Sequence, residues 1–420
     1  MVAKILFAPS VGREIGEFSL VKGELERNQN HTVLAIALDN SRMSLLAEAG
    51  FSPKHIADYQ TKNMLNIIRK ESPDIVVTDF CATPTISLIV AANYAGIPTL
   101  MIDCGIKRFD DSPITKAHRD QLPRKIIAWF RTEEKFHHIP FTFTTLLATS
   151  NPLQFPIRLV REILKFTQGL PSYIESLNMA VLSPSSKSSY VSEGVPPENV
   201  FVTGQLRFDL IWQKKFSRSQ IMKELSVSED VGIIVLATQP LVESYFWTEA
   251  ERDEFTRVVV YALKEFSDKQ LVIKLHPDED MEVYQKILAN IGEDKTIICQ
   301  DIDIYELLNA CELLMTAYST VALEAMLFDK PVITLNLSGE PDFFPYAESG
   351  AAIGVYQKEE LVPAIQKALY DPEVRNEMGR KRKEFVQEHA YIQDGQASKR
   401  VAELISRLIE ESKRAESGTQ

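Results

Sequence analysis

The feature that most constrains this chain is a repeated alternation of short apolar runs with longer helical stretches. Lys4–Ala8 is one apolar run, ending in Pro9-Ser10-Val11-Gly12; 31–38, 74–79 and 98–103 are three more, and 86–95 reads as a helix closed by Gly96. Strands that are apolar throughout, with helices between them, belong to a parallel sheet covered on both faces. The rhythm then starts again. Strands are expected at 231–237, 270–275, 295–299, Leu313–Thr316 and 331–335, with helices at 249–268, 282–291, Ile304–Ala310 and 319–328. A strand at 179–182 runs into the serine-rich turn 183–189, which reads as a helix cap. Two such series predict two doubly wound α/β domains, 1–205 and 206–420, the second carrying the terminal helices. The polar tail 411–420 is expected to fray.

Composition narrows the function classes. Of 420 residues 45% are hydrophobic and 25% charged, too apolar for a disordered chain. The formal net charge of −12 disfavours non-specific nucleic-acid binding, which needs Lys and Arg against phosphates. Four scattered cysteines (Cys81, Cys104, Cys299, Cys311) give neither a disulfide framework nor a zinc spacing, and point to a reducing cytoplasm. No segment reaches the ~18 apolar residues of a membrane span. One stretch departs from the average: 107–165 holds eleven Lys/Arg against six Asp/Glu, interleaved with Trp129, Phe130, Phe136, Phe141, Phe143 and Phe155. A basic, aromatic-rich helical insertion over about 107–175 suits an anionic membrane surface or an anionic acceptor. A helical excursion packed on its own domain is the plainer alternative.

Four places could carry chemistry. After the first strand, Gly12 lets backbone approach a ligand, and Glu14 and Glu17 stand where a base could deprotonate a hydroxyl. Acidic residues in a first helical turn are also favoured by the helix dipole alone. Asp79 and Asp103 each end a strand, as catalytic groups or as turn caps. In Lys274-Leu275-His276-Pro277-Asp278 the strand delivers His276 to its carboxyl end, where a ring N–H could meet a phosphate oxygen; Lys274 reads as solvent-facing. Finally, Ser319 and Thr320 open a helix and could cradle phosphate, with Glu324 one turn on to accept hydroxyls. Ser319 and Thr320 could equally be an ordinary N-cap. There is no P-loop and no zinc ligand pair.

Together these residues resemble a known group. Lys274-Leu275-His276-Pro277, Ser319-Thr320-x-x-x-Glu324-Ala325 and Asp329-Lys330-Pro331-Val332-Ile333 resemble the donor domain of GT-B glycosyltransferases, nearest to CDP-glycerol glycerophosphotransferases and capsule polysaccharide transferases. Val202-Thr203-Gly204-x-x-x-Phe208-Asp209 and Asp394-Gly395-Gln396-Ala397-Ser398-Lys399-Arg400 are similar to two further motifs of those enzymes. In the N-terminal half, Val77-Thr78-Asp79, Ala95-Gly96-Ile97-Pro98 and Ile102-Asp103-Cys104-Gly105 resemble the non-hydrolysing UDP-N-acetylglucosamine 2-epimerases. The epimerases' His-Arg-Arg-Glu-Asn and Asp-Ser-Gly-Gly segments are here Thr238-Gln239-Pro240-Leu241-Val242 and Ala317-Tyr318-Ser319-Thr320. Ser10-Val11-Gly12 followed by Glu14 resembles the Ser-Val-Gly-Glu base motif of Kdo transferases, offset by one residue.

The resemblance implies a GT-B fold: two Rossmann-like parallel-sheet domains facing a central cleft, acceptor on the N-terminal side and nucleotide-activated donor on the C-terminal side. It implies Gly12, Arg207, His276, Ser319, Thr320 and Glu324 as donor-binding, and Glu14, Glu17, Asp79 or Asp103 as catalytic. No cofactor and no metal are expected. The expected partners are a nucleotide sugar and a glycan or lipid-linked acceptor, with no nucleic acid, a peripheral membrane contact through 107–170, and room for a homodimer. The implied reaction is group transfer; sugar-nucleotide 2-epimerisation is the alternative.

Overall fold

The computed structural model describes residues 2–9, 15–29, 31–79, 83–103, 139–158, 177–244 and 246–418. The chain forms two compact units. Among the described residues, one comprises those up to Gln213 together with Tyr391 onward, and the other is Lys214–Ala390.

The first unit is built on β1 (Lys4–Ala8), β2 (Thr32–Ala37), β3 (Pro53–His55), β4 (Ile75–Thr78), β5 (Thr99–Ile102), β6 (Asn178–Val181) and β7 (Val200–Val202). Every pairing is parallel, in the order β3-β2-β1-β4-β5-β6-β7. β1 and β4 are wholly or almost wholly buried because helices cover both faces, which is why they read as unbroken apolar runs. The expected cap is present: Ser183 Oγ accepts the Ser186 amide at the start of the helix Pro184–Ser192.

The domain boundary expected after Gln205 needs correction. The helices Leu206–Gln213 and Ala397–Gly418 belong to the first unit. Leu206, Ala397, Val401, Leu404, Ile405, Leu408 and Ile409 share a core with Ile5, Phe7, Phe18 and Leu25. The spacing 397, 401, 404, 405, 408 is a helical apolar stripe, and it is buried against the helices Ile15–Gln29 and Leu206–Gln213 and against β4. The tail does not fray where expected: the last helix runs to Gly418, and Lys413 Nζ pairs with Asp74 at 2.6 Å.

Two sequence motifs prove to be one structural piece. Asp209 is 2% exposed, and its carboxylate accepts the amides of Ala397 (3.0 Å) and Ser398 (2.8 Å) and the Ser398 hydroxyl (2.7 Å). It therefore caps the last helix from a distant part of the chain. Arg400 Nε donates to the Thr203 carbonyl at 2.7 Å while its Nη1 holds Asp394. Gly204 lies between them at φ +86°, and a Cβ there would meet Arg400 Nη2 at 3.2 Å, so glycine is required twice over.

The second unit carries β8 (Gly232–Ala237), β9 (Lys269–Lys274), β10 (Ile297–Cys299), β11 (Leu313–Thr316), β12 (Val332–Leu335) and β13 (Ile353–Val355). They are all parallel, in the order β10-β9-β8-β11-β12-β13. In both sheets the strand order reverses beside the first strand of the unit, at β1/β4 and at β8/β11. Open α/β sheets bind ligands at the carboxyl ends of strands flanking such a reversal.

Candidate functional site

In the second unit the ladder places Ala237 opposite both Lys274 and Thr316. The residues after these strands therefore emerge level: Thr238 with Leu275 and Ala317, then Gln239 with His276 and Tyr318. Hydrogen bonds tie the three turns together. Gln239 Oε1 accepts the Tyr318 amide at 2.7 Å. Glu279, 6% exposed, accepts the His276 amide at 2.9 Å, the Tyr284 hydroxyl at 2.6 Å and the Thr238 hydroxyl. Burial pushes the Glu279 carboxyl up, against the hydrogen bonds that favour its charge. Gln300 Nε2 donates to the carbonyls of His276 and Glu279, both at 2.8 Å, and clamps the loop from outside.

His276 itself is oriented by its neighbour. The Asp278 amide donates to Nδ1 at 3.2 Å, which leaves the ring proton of a neutral imidazole on Nε2. The side chain is 23% exposed, so it is held yet reachable. Lys274 does not face solvent as expected. Its ammonium donates to the carbonyls of Gln300 (2.6 Å) and Leu275 (3.1 Å), and burial pulls its pKa down.

Beyond β11, Ser319 Oγ accepts the Val321 amide at 3.2 Å. Ser319 is 8% exposed, Thr320 is exposed, and the helix Val321–Leu327 follows them. Glu324 is buried at 5%, with the fully buried Tyr346 beside it; burial and then the Glu324 charge push the Tyr346 hydroxyl up. Tyr318 continues the wall: its ring lies 4.0 Å from Phe343, and its hydroxyl bonds Asn336 Oδ1 (2.7 Å) and Ser338 Oγ (2.8 Å). A small cavity behind the β8 turn is lined by Thr238, Gln239, Trp247, Arg252, Phe255 and Tyr284, among others.

In the first unit, Glu17 (8% exposed) follows β1, Asp79 (0%) follows β4 and Asp103, half-buried, follows β5. β1, β4 and β5 are neighbours, so three carboxylates stand at the carboxyl edge of three adjacent central strands. Glu14, Gly12 and the insertion, except for 139–158, lie outside the described residues. Arg207 stands on the helix Leu206–Gln213 of the first unit, whereas His276, Ser319, Thr320 and Glu324 belong to the second. Sequence reasoning missed Glu279, which hides in the acidic run Asp278-Glu279-Asp280. It also missed Gln239 and Asn336, whose only signal was a place just after a strand.

No curated protein sequence matches this chain. Among solved structures, Staphylococcus aureus MnaA with UDP is similar at 16% identity, with 97% of each chain covered and a TM-score of 0.62. Neisseria meningitidis UDP-GlcNAc 2-epimerase bound to UDP-GlcNAc is similar at 16% identity, covering 96% of this chain and 100% of that one, with a TM-score of 0.62. The wall teichoic acid polymerase TagF with CDPG is similar at 12% identity, covering 97% of this chain and 89% of that one, with a TM-score of 0.56. At these identities the likeness establishes the fold, a two-domain α/β fold of the GT-B kind. The profile of UDP-N-acetylglucosamine 2-epimerase matches residues 176–406, more than half of the sequence, and the chain belongs to that family.

Proposed function

We propose that this protein acts on a nucleotide-activated sugar or polyol phosphate and transfers the activated group to an acceptor. Family membership supports the first part, an enzyme acting on a sugar nucleotide. The second part rests on one observation. After β8, where the epimerases carry a histidine segment, Thr238 and Gln239 are engaged in holding the His276 and Tyr318 turns. Epimerisation must remove and return a proton at a sugar carbon, which needs acid–base groups on two faces. The donor half of a transferase need only hold the leaving phosphate.

In this reading the His276 Nε2–H binds the donor diphosphate, Ser319 and Thr320 its oxygens, and Glu324 and Arg207 complete the donor contacts. The growing phosphate charge is met by these donors, so the chemistry needs no metal in principle. Glu17 or Glu14 deprotonates the acceptor hydroxyl, with Asp79 and Asp103 as rival bases. The acceptor is a glycan or a lipid-linked saccharide, which the basic insertion would suit through peripheral membrane contact. Among the described residues no helix is long and apolar enough to cross a membrane.

The second reading is sugar-nucleotide 2-epimerisation, favoured by the family profile and by the paired strand ends Asp79 and Asp103. Incubation with UDP-N-acetylglucosamine alone separates the two. The transferase reading expects only slow release of UDP; accumulation of the manno epimer would establish the second. A thermal-shift panel of CDP-, UDP-, GDP- and CMP-linked donors tests both, and stabilisation by none of them overturns both. With the right donor, His276→Ala should lower kcat about 100-fold or more.

A further inference from the structure

At the opposite edge of the second unit's sheet, before β12, the helix Pro372–His389 and the segment Asp329–Pro331 enclose a groove of about 590 Å³. Arg375, Gly379, Arg382 and Lys383 recur at helical spacing and line one side of it. Arg375 and Lys383 are exposed and, among the described residues, have no acidic partner within salt-bridge distance. Arg380, the other lining cation, is already neutralised by Glu377 and Glu384. Arg382 is different: its side chain is only 6% exposed, and Nη2 donates to the Asp329 carboxylate at 2.7 Å and carbonyl at 3.2 Å. Behind it the buried Nε and Nη1 have no acceptor among the described residues. A nearly buried guanidinium is thus balanced by one carboxylate that is itself 71% exposed, an arrangement proteins rarely leave without a reason.

Gly379 forms the floor. It sits in a helix interior, where glycine costs about 1 kcal/mol relative to alanine. A Cβ there would meet nothing closer than Arg382 Nη2 at 3.6 Å, so packing does not demand glycine. What it leaves is open space over the guanidinium.

We propose that this groove binds a diphosphate-class oxyanion. The guanidinium fork of Arg375 matches phosphate oxygens, Lys383 adds a point charge, and Arg382, whose Nε and Nη1 are buried, adds its positive charge from the wall of the groove. Arg375 and Lys383 lie two helical turns apart, about 12 Å along the axis. The two side chains must converge to share one ligand, and a diphosphate, with more charge and its oxygens spread more widely than those of a single phosphate, meets both more readily. The groove lies on the edge of the sheet away from His276 and Ser319, so it does not depend on the proposed reaction.

Calorimetry on the full chain with inorganic pyrophosphate and with orthophosphate, in 150 mM NaCl, tests this. Pyrophosphate is expected to occupy a site that survives His276→Ala and that the Arg375→Ala/Lys383→Ala pair weakens at least about tenfold. Orthophosphate should bind about tenfold more weakly still. Gly379→Leu fills the floor with a good helix former; it should abolish the site while leaving the melting temperature at or above that of the unaltered protein. Pyrophosphate binding that ignores both groove variants, or that vanishes with His276→Ala alone, overturns the proposal.

Discussion

At the scale of single residues, two buried carboxylates have measurable consequences. Glu71 is 4% exposed at the end of the helix Met64–Glu71, where Lys4 and Lys54 each approach at 2.8 Å and the Tyr59 hydroxyl donates at 2.9 Å. Burial opposes its ionisation, but these three donors outweigh burial and hold the pKa at about 2, against 4.5 when free. A depressed folded pKa contributes stability that is complete above pH 4.5 and is lost as pH falls toward 2. The difference is on the order of 3 kcal/mol. Urea unfolding at several pH values should show that loss, and Glu71→Gln should flatten it while lowering stability at neutral pH. Asp209→Ala should cost about 2 kcal/mol or more, because three donors at the last helix lose their acceptor inside the core. An unfolding midpoint unchanged by that substitution would mean the cap contributes nothing.

At the scale of elements, the helix Ala397–Gly418 owes its place to its apolar stripe. Ile405 is 0% exposed, and Ile405→Ala should destabilise the first unit by about 2–5 kcal/mol in chemical denaturation. Gly204→Ala should also destabilise it, by about 1–2 kcal/mol, since it must strain at φ +86° and press on Arg400. The central strands were legible because burial on both faces writes them as continuous apolar runs, and β8 to β12 fall close to the expected segments. β3 and β13 were not legible, since three residues on a sheet edge carry no pattern. The destination of the last helix was hidden for another reason: periodicity shows that a face is buried, never against which domain. The position of His276 and Ser319 just after β9 and β11 was legible from the strand pattern, whereas Glu279, which holds the His276 turn, looked like part of a solvated acidic run.

At the scale of the molecule, the chain leaves the first unit after Gln213 and returns to it at Tyr391. The fragment Lys214–Ala390 holds a complete six-stranded sheet with its helices and should fold alone, giving a cooperative melt. The fragment 1–205 should not, because it lacks Leu206 and the whole apolar stripe from Ala397 to Ile409. A cooperative melt of 1–205 would refute that.

This threading sets a timetable. During synthesis the second unit is complete and free to fold while the first still waits for its closing helix, which is made only after the second unit. At about 5–20 residues per second, the more than 200 residues from Leu206 to Gly418 take about 10–40 seconds to make. Through that interval the faces of Ile5, Phe7 and Phe18 that the helix will cover stay open. The first unit is therefore begun before the second and finished after it, and a chain stopped just short of Ala397 would expose the hydrophobic surface on which quality-control chaperones act.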